Sequence, residues 1–194
     1  MPQETRPEAR GPLHSVWRIA RGLPGLRTPR ALRRLERAFR LGKERDGFAL
    51  VHYSIQRDHL HLMVEVKDRR KLSRGLQALG IRVATSLNSL WRRRRGRVFA
   101  ERYFANALED WKQVWRTVRY VLNNGRKHGT WRVPNQPDPY SSGAWFWQWR
   151  PLDIRRPLRR SPVMELKSYD YIPRVGLDSV PGPSWTQFVE AHVD

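Results

Sequence analysis

The chain has 194 residues, enough for one domain with an appendage and a closed core. Its 38 Lys+Arg against 18 Asp+Glu leave a formal +20, and the absence of Cys excludes a disulfide framework, a thiolate zinc site and a thiol nucleophile. Residues 1–130 carry +19 of that charge while residues 131–194 are nearly neutral, so a polyanion, most simply nucleic acid, is the expected partner of the first two thirds.

Residues 1–12 read as a disordered leader, Pro- and charge-rich and without the apolar centre of a secretory signal. Apolar runs throughout are short against the ~20 residues of a membrane helix, so a soluble, cytoplasmic, nucleoid-associated protein is expected. Residues 14–21 read as a first strand with Trp17 and Ile19 on one face. After the turn Gly22-Leu23-Pro24-Gly25, Thr28 and Pro29 suit the N-cap and N1 positions of a helix. Leu32, Leu35 and Phe39 then recur at helical spacing, and the helix is predicted to run to about residue 45. Arg30, Arg33, Arg34, Arg37 and Arg40 line it, as snorkelling surface side chains or as phosphate contacts.

Residues 48–55 and 59–66 are strand-like on either side of a short connector, which makes them an antiparallel hairpin. On the second strand Leu60, Leu62, Val64 and Val66 share one face, and His59, His61, Met63 and Glu65 the other. The apolar four explain themselves as core, whereas packing alone does not select two adjacent imidazoles. Same-face neighbours stand roughly 7 Å apart. The pair are therefore either half-exposed histidines on a solvated strand or two ligands of one ion between them. In a Cys-free, strongly basic chain the second reading carries more weight.

Leu72, Leu76, Leu79, Val83, Leu87 and Leu90 predict a long amphipathic helix. It ends in a dense basic loop. Four consecutive arginines repel one another unless an anion neutralises them, so Arg92, Arg93, Arg94, Arg95 and Arg97 look like a clamp on backbone phosphates. Residues 98–104 read as a further strand. Asp110 opens a last helix that is predicted to run to Asn124, with Gly125 as its stop. Trp111, Val114, Trp115, Val118 and Leu122 form its expected buried stripe. Tyr120 lies about 200° from Val118, off that stripe, and shares a face with Gln113, Thr117 and Asn124. Taken alone, such a tyrosine is an ordinary surface aromatic.

The order β-α-β-β-α-β-α predicts an α+β fold, an antiparallel sheet with helices of the split βαβ (ferredoxin-like or RRM-like) type. Past residue 131 the chain becomes Pro- and Trp-rich. Trp145, Trp147 and Trp149 alternate there, either to stack on bases or to fold back over the core; flanking turns and low charge favour the second.

Asp58-His59-Leu60-His61, followed later in the chain by Arg119-Tyr120-Val121-Leu122-Asn123-Asn124, resembles the HUH nucleases with a single catalytic tyrosine. Within them it is most similar to the IS200-type transposases, especially the REP-associated tyrosine transposase branch. The likeness runs from about residue 14 to 129 and includes Gly96-Arg97-Val98-Phe99-Ala100-Glu101-Arg102-Tyr103. Two positions depart from the family pattern. Asp58 stands where Asn is common and Gly125 where Pro is common, which places the chain in a divergent branch without removing a group the chemistry requires.

The resemblance implies an HUH endonuclease domain over 13–130, with 131–194 as a C-terminal extension. It implies a metal-dependent single-stranded DNA endonuclease and strand transferase acting at hairpin-associated sites. His59, His61 and Asn124 would hold Mg²⁺ or Mn²⁺, and Tyr120 would form a 5′-phosphotyrosine while Arg116 or Arg119 steadies the developing charge. The partner would be DNA, single-stranded or hairpin, bound by a monomer or homodimer. Tyr53 and Tyr103 are rival nucleophiles ranked behind Tyr120, Tyr103 because an aromatic in a strand-like run is better explained by packing; His52 and Glu65 are rival ligands, of which His52 reads as a partly buried strand residue. The alternative reading is a non-catalytic nucleic-acid-binding module with the same fold. A phosphodiesterase using His59 and His61 directly as acid and base would need two separated His motifs, and the sequence has one.

Overall fold

The computed structural model describes residues 10–93, 96–133, 136–146 and 161–164. Strand β1 (Gly11–Arg18) begins and ends three residues earlier than its expected span of 14–21, so Gly11 and Pro12 are already strand. Helix α1 (Pro29–Gly42) starts as expected: the Thr28 side chain accepts a hydrogen bond from the Ala31 N–H, and Pro29 follows it. It stops short of residue 45 because Glu44 and Arg45 form β2 (Glu44–Arg45), paired with Ala49 and Phe48.

The hairpin of β3 (Phe48–Ile55) and β4 (His59–Val66) has the predicted ends, and its register shifts between Leu50 and His52. Helix α2 (Arg69–Leu90) carries the predicted ladder, with Leu72, Leu76, Leu79, Val83 and Leu87 buried. Gly75 within it is a packing requirement, because a Cβ there would stand 2.1 Å from the Phe48 ring. The strand expected over 98–104 lies instead at β5 (Phe104–Ala107). The stretch before it meets the end of β1 and the two residues beyond it through the Trp17–Phe99 ring contact, the isolated Ile19–Phe99 bridge and the backbone bonds Ala20 N–H to the Val98 carbonyl and Ala100 N–H to the Arg18 carbonyl.

The sheet order is β2-β3-β4-β1-β5, every pair antiparallel, which is the split βαβ architecture expected of the sequence. Helices α1 and α2 cover one face. There Trp17, Leu35, Phe39, Phe48, Leu60 and Leu76 belong to one continuous apolar cluster. The opposite face is covered by α3 (Trp111–Lys127), which packs on β3 and β4 and buries Val114, Val118, Val121 and Leu122. Trp111 and Trp115, expected in that stripe, are only half-buried, and Val121 takes their place. Helix α3 also runs past Gly125, its expected stop.

The chain after α3 returns to the sheet. Arg27 forms a two-bond ion pair with the buried Asp138, the Ile55 N–H donates to the Tyr140 carbonyl, and Ser54 bridges Ser141. A short 3₁₀ turn (Ser142–Trp145) follows, and Phe146 packs edge-on against His52. Trp147 and Trp149 lie outside the described residues. No helix among the described residues is long and apolar enough to cross a membrane.

Candidate active site

The histidine face of β4 is not solvated. Helix α3 lies over it, so His61 is 4 % and Met63 0 % exposed. Strand register decides what surrounds His61: β1 sets Val16 opposite it, with His14 one residue along on the same face. His14 Nε2 reaches His61 Nδ1 at 3.0 Å, and the two rings stack with 12° between their planes. On the other side His59 Nε2 faces His61 Nε2 at 3.1 Å. The outer nitrogen of His59, Nδ1, donates to Asp58 Oδ1 at 2.7 Å. The departure Asp58 is thus an orienting partner for His59, and that hydrogen bond holds its carboxyl below the usual range.

A carboxylate only accepts, so a neutral His59 ring carries its proton on Nδ1 and has its lone pair at Nε2. Without an ion, His61 can donate from Nε2 to that lone pair and accept from His14 at Nδ1. Were an ion held here, His61 would carry its proton on Nδ1 with His14 as acceptor, leaving the Nε2 atoms of His59 and His61 free as donors to it. Nitrogens 3.1 Å apart are close enough that both could reach one cation. Burial first, then the charges of His14, His59, His128 and Lys127, push the His61 pKa down to about 3, so the ring is neutral and able to ligate.

Helix α3 supplies the rest. Tyr120 meets His61 edge-on with ring centroids 5.3 Å apart, and His14 at 5.9 Å. Two turns on, His128 meets His59 at 5.6 Å. Asn124 lies between them on the same helix face. It is wholly buried, and neither its Oδ1 nor its Nδ2 has a hydrogen-bond partner. A buried orphan amide one helical turn from both Tyr120 and His128 suits a ligand position that a cation would complete. Ligand atoms of His59, His61 and His128 all lie within 4.8 Å of one another. Lys127 places its Nζ 4.9 Å from the Tyr120 ring centroid.

The rival residues fall elsewhere. Tyr53 is in the core with its hydroxyl bonded to Glu36, and Tyr103 packs against the same cluster. His52 bonds Ser142, and Glu65 pairs along the strands with Pro12 and Ala49. Of the expected DNA contacts, Arg92 is exposed in a left-handed conformation (φ 55), Arg93 is half-buried, and Arg97 is exposed with its Nε donating to the Phe99 carbonyl. Arg94 and Arg95 lie outside the described residues. Arg116 is exposed on α3 and lines a hollow beside β5, while Arg119 is half-buried, about 100° round the helix from Tyr120.

Three neighbours of this site escape the sequence reading: His14, Lys127 and His128. Ending α3 at Asn124 hides the last two, although the spacing from Tyr120 through Asn124 to His128 continues one helix face. His14 carries a weaker signal, that of a polar residue between the buried Leu13 and Ser15.

A family model described as "Transposase IS200 like" matches residues 11–124. No curated protein matches the chain. Among solved structures, a REP-associated tyrosine transposase bound to a REP hairpin aligns with TM-score 0.58 and 16 % identity, over 86 % of this chain and 96 % of that one. A candidate transposase from Deinococcus radiodurans R1 aligns at TM-score 0.44 and 13 % identity, over 62 % and 96 %. The first of these likenesses shows a shared fold.

Proposed function

The chain belongs to the IS200-like transposase family, and on that premise we propose that it cuts and rejoins single-stranded DNA at hairpin-associated sites through a covalent Tyr120–phosphate bond. The observation that carries this reading is the contact of Tyr120 with His61 inside one chain, beside a second imidazole whose Nε2 faces that of His61. Binding of a DNA hairpin by the structural relative supports the substrate class.

His59 and His61 would hold a divalent cation, with Asn124 Oδ1 and His128 as further donors. Of the two ions expected, Mn²⁺ suits an imidazole-rich set better than Mg²⁺. When bound, the ion supplies Lewis-acid polarisation of the scissile phosphate. Tyr120 Oη attacks phosphorus, its proton passes to water, and the bond from phosphorus to the 3′ oxygen breaks. The leaving oxygen takes up a proton as a free 3′-OH. The tyrosyl phosphodiester keeps the energy of the broken bond, so a second 3′-OH can reverse the step without ATP. Lys127 stabilises the phenolate from above its ring, and Arg116 and the arginines of the loop after α2 draw in the DNA backbone.

The test is a labelled hairpin oligonucleotide with single-stranded flanks, incubated with Mn²⁺. The wild-type chain should form a covalent adduct, and Tyr120→Phe should bind the DNA and form none. Cleavage by Tyr120→Phe at the wild-type rate would show the reading to be wrong.

A further inference from the structure

Phe104 is the most exposed large apolar side chain among the described residues, at 65 %. A lone exposed Phe is ordinary on a protein surface, but this one has a particular address. Phe104 pairs with Val16, and Val16 with His61, so the three form one cross-strand row on the face that α3 covers further in. At roughly 4.8 Å per strand, the Phe104 backbone stands about 10 Å from that of His61, on the open edge of the sheet. Its backbone is tied to β1 by a side-chain hydrogen bond as well as by strand pairing. Ser15 Oγ donates to the Phe104 carbonyl at 2.8 Å and itself accepts from Trp17 Nε1 at 2.9 Å, beneath the sheet.

One row further along, Asn106 pairs with His14 and lines a hollow of about 470 Å³ between β5 and the first turns of α3. Gln113, Arg116 and Thr117 line its helix side, on or beside the face that carries Tyr120, and Glu109 lines it as well. Gln113 is already engaged, accepting from the Glu109 N–H. Asn106 offers a donor and an acceptor, Thr117 a hydroxyl and Arg116 a fixed cation. An aromatic platform beside amide, hydroxyl and guanidinium groups is what a single-stranded nucleotide requires: a face to stack on, an edge to bond and a phosphate to neutralise.

We propose that Phe104 is the stacking platform for a base of the single strand beside the scissile phosphate, and that the β5–α3 hollow takes the adjoining nucleotide. This deepens the strand-cleavage reading and rests on it. Within that lining the Glu109 carboxylate repels phosphate and Arg116 attracts it, so the backbone runs beside Arg116 and leaves Asn106 to the base.

The test is a binding titration in EDTA, where no cleavage occurs, using a hairpin oligonucleotide with oligo-dT flanks and an abasic residue walked through each flank. Stacking on one side chain is typically worth 1–3 kcal/mol per base, so Phe104→Ala should weaken binding roughly 5- to 150-fold. Phe104→Trp should restore it, and one abasic position should abolish the difference between wild type and Phe104→Ala. Wild-type affinity of Phe104→Ala would overturn the proposal. So would full rescue by Phe104→Leu, which would mark an apolar contact without stacking, or a loss that no abasic position removes. Failure of the Tyr120 adduct, with this binding pattern intact, would instead remove the cleavage reading alone. Because Phe104 is exposed, unchanged thermal unfolding of all three variants checks that the fold is preserved.

Discussion

His14 Nε2 lies 3.0 Å from His61 Nδ1, the nitrogen of His61 that points away from His59. That contact governs which nitrogen of His61 carries its proton, and therefore whether Nε2 is free for an ion. Outer-sphere partners of this kind are typically worth 10- to 100-fold in metal affinity. His14→Ala should accordingly lower Mn²⁺ affinity by roughly that factor, measured by calorimetric titration at neutral pH. An unchanged affinity would mean that His59 and the α3 face orient His61 without help from β1.

Lys127 places its ammonium over the Tyr120 ring, 4.9 Å from its centroid. It is two turns along α3 from Tyr120 and reaches back over it. Removing it should slow formation of the covalent adduct by roughly tenfold, about 1.4 kcal/mol of transition-state stabilisation. Lys127→Met should show this in single-turnover cleavage with hairpin binding little changed, and Lys127→Arg should recover most of the rate. Equal rates for Lys127→Met and wild type would leave Arg116 and Arg119 as the relevant charges.

How much of this site the sequence displays depends on how local each determinant is. The β3–β4 hairpin and the Thr28 cap follow from alternation and one side-chain hydrogen bond, and both are legible. The end of α3 is not. Gly125 has the look of a helix stop, yet its reason for being Gly is tertiary: a Cβ there would stand 2.0 Å from Asp138 Oδ2. The helix therefore continues to Lys127, and the positive φ that follows it is at Gly129. With that end misplaced, Lys127 and His128 fall outside the helix and out of sight of Tyr120. The edge strand fails for a related reason. Both 98–104 and 104–107 alternate acceptably, and only the pairing with β1 selects the second.

Gly125→Ala separates these readings. Ala favours a helix interior over Gly by about 1 kcal/mol, so a glycine that merely ends the helix would tolerate the change or gain from it. Here the new methyl group would displace Asp138, whose ion pair with Arg27 is nearly buried on both sides. Breaking such a pair typically costs 3–5 kcal/mol. The variant should be destabilised by roughly 2–4 kcal/mol in urea titration. An increase in the unfolding midpoint would refute the packing account.

His52 should govern part of the acid limb of stability. Burial lowers its pKa from 6.5 to about 4, with its Nδ1 against Ser142 and Phe146 across its ring. The fold thus binds the neutral ring, while the unfolded chain protonates near pH 6.5. The stabilisation is complete above pH 6.5 and is lost as pH falls toward 4, at up to about 1.4 kcal/mol per pH unit. His52→Gln keeps a polar partner for Ser142 but does not titrate in that window. Its urea midpoint should be slightly lower at pH 7 and should fall less steeply between pH 6.5 and 4. Parallel pH profiles for the two proteins would assign the acid limb to other groups.

Tyr120 and His61 touch within a single chain, and the energetics of α3 argue that they stay together in solution. To lend its tyrosine to a second subunit, the helix would have to lift from β3 and β4 and uncover Val114, Val118, Val121 and Leu122. At about 1.5–3 kcal/mol per buried aliphatic side chain, the lifted intermediate lies roughly 6–12 kcal/mol uphill. Exchange would also undo the close approach of Gly125 to Asp138. Equimolar Tyr120→Phe and His61→Ala chains should therefore remain inactive after mixing, because neither can complete the other's site. Mixing under native conditions and scoring covalent adduct on the hairpin oligonucleotide reads this directly. Restored adduct in the mixture, absent from each variant alone, would mean that the helix is shared between subunits and that the self-contained site is not the working one.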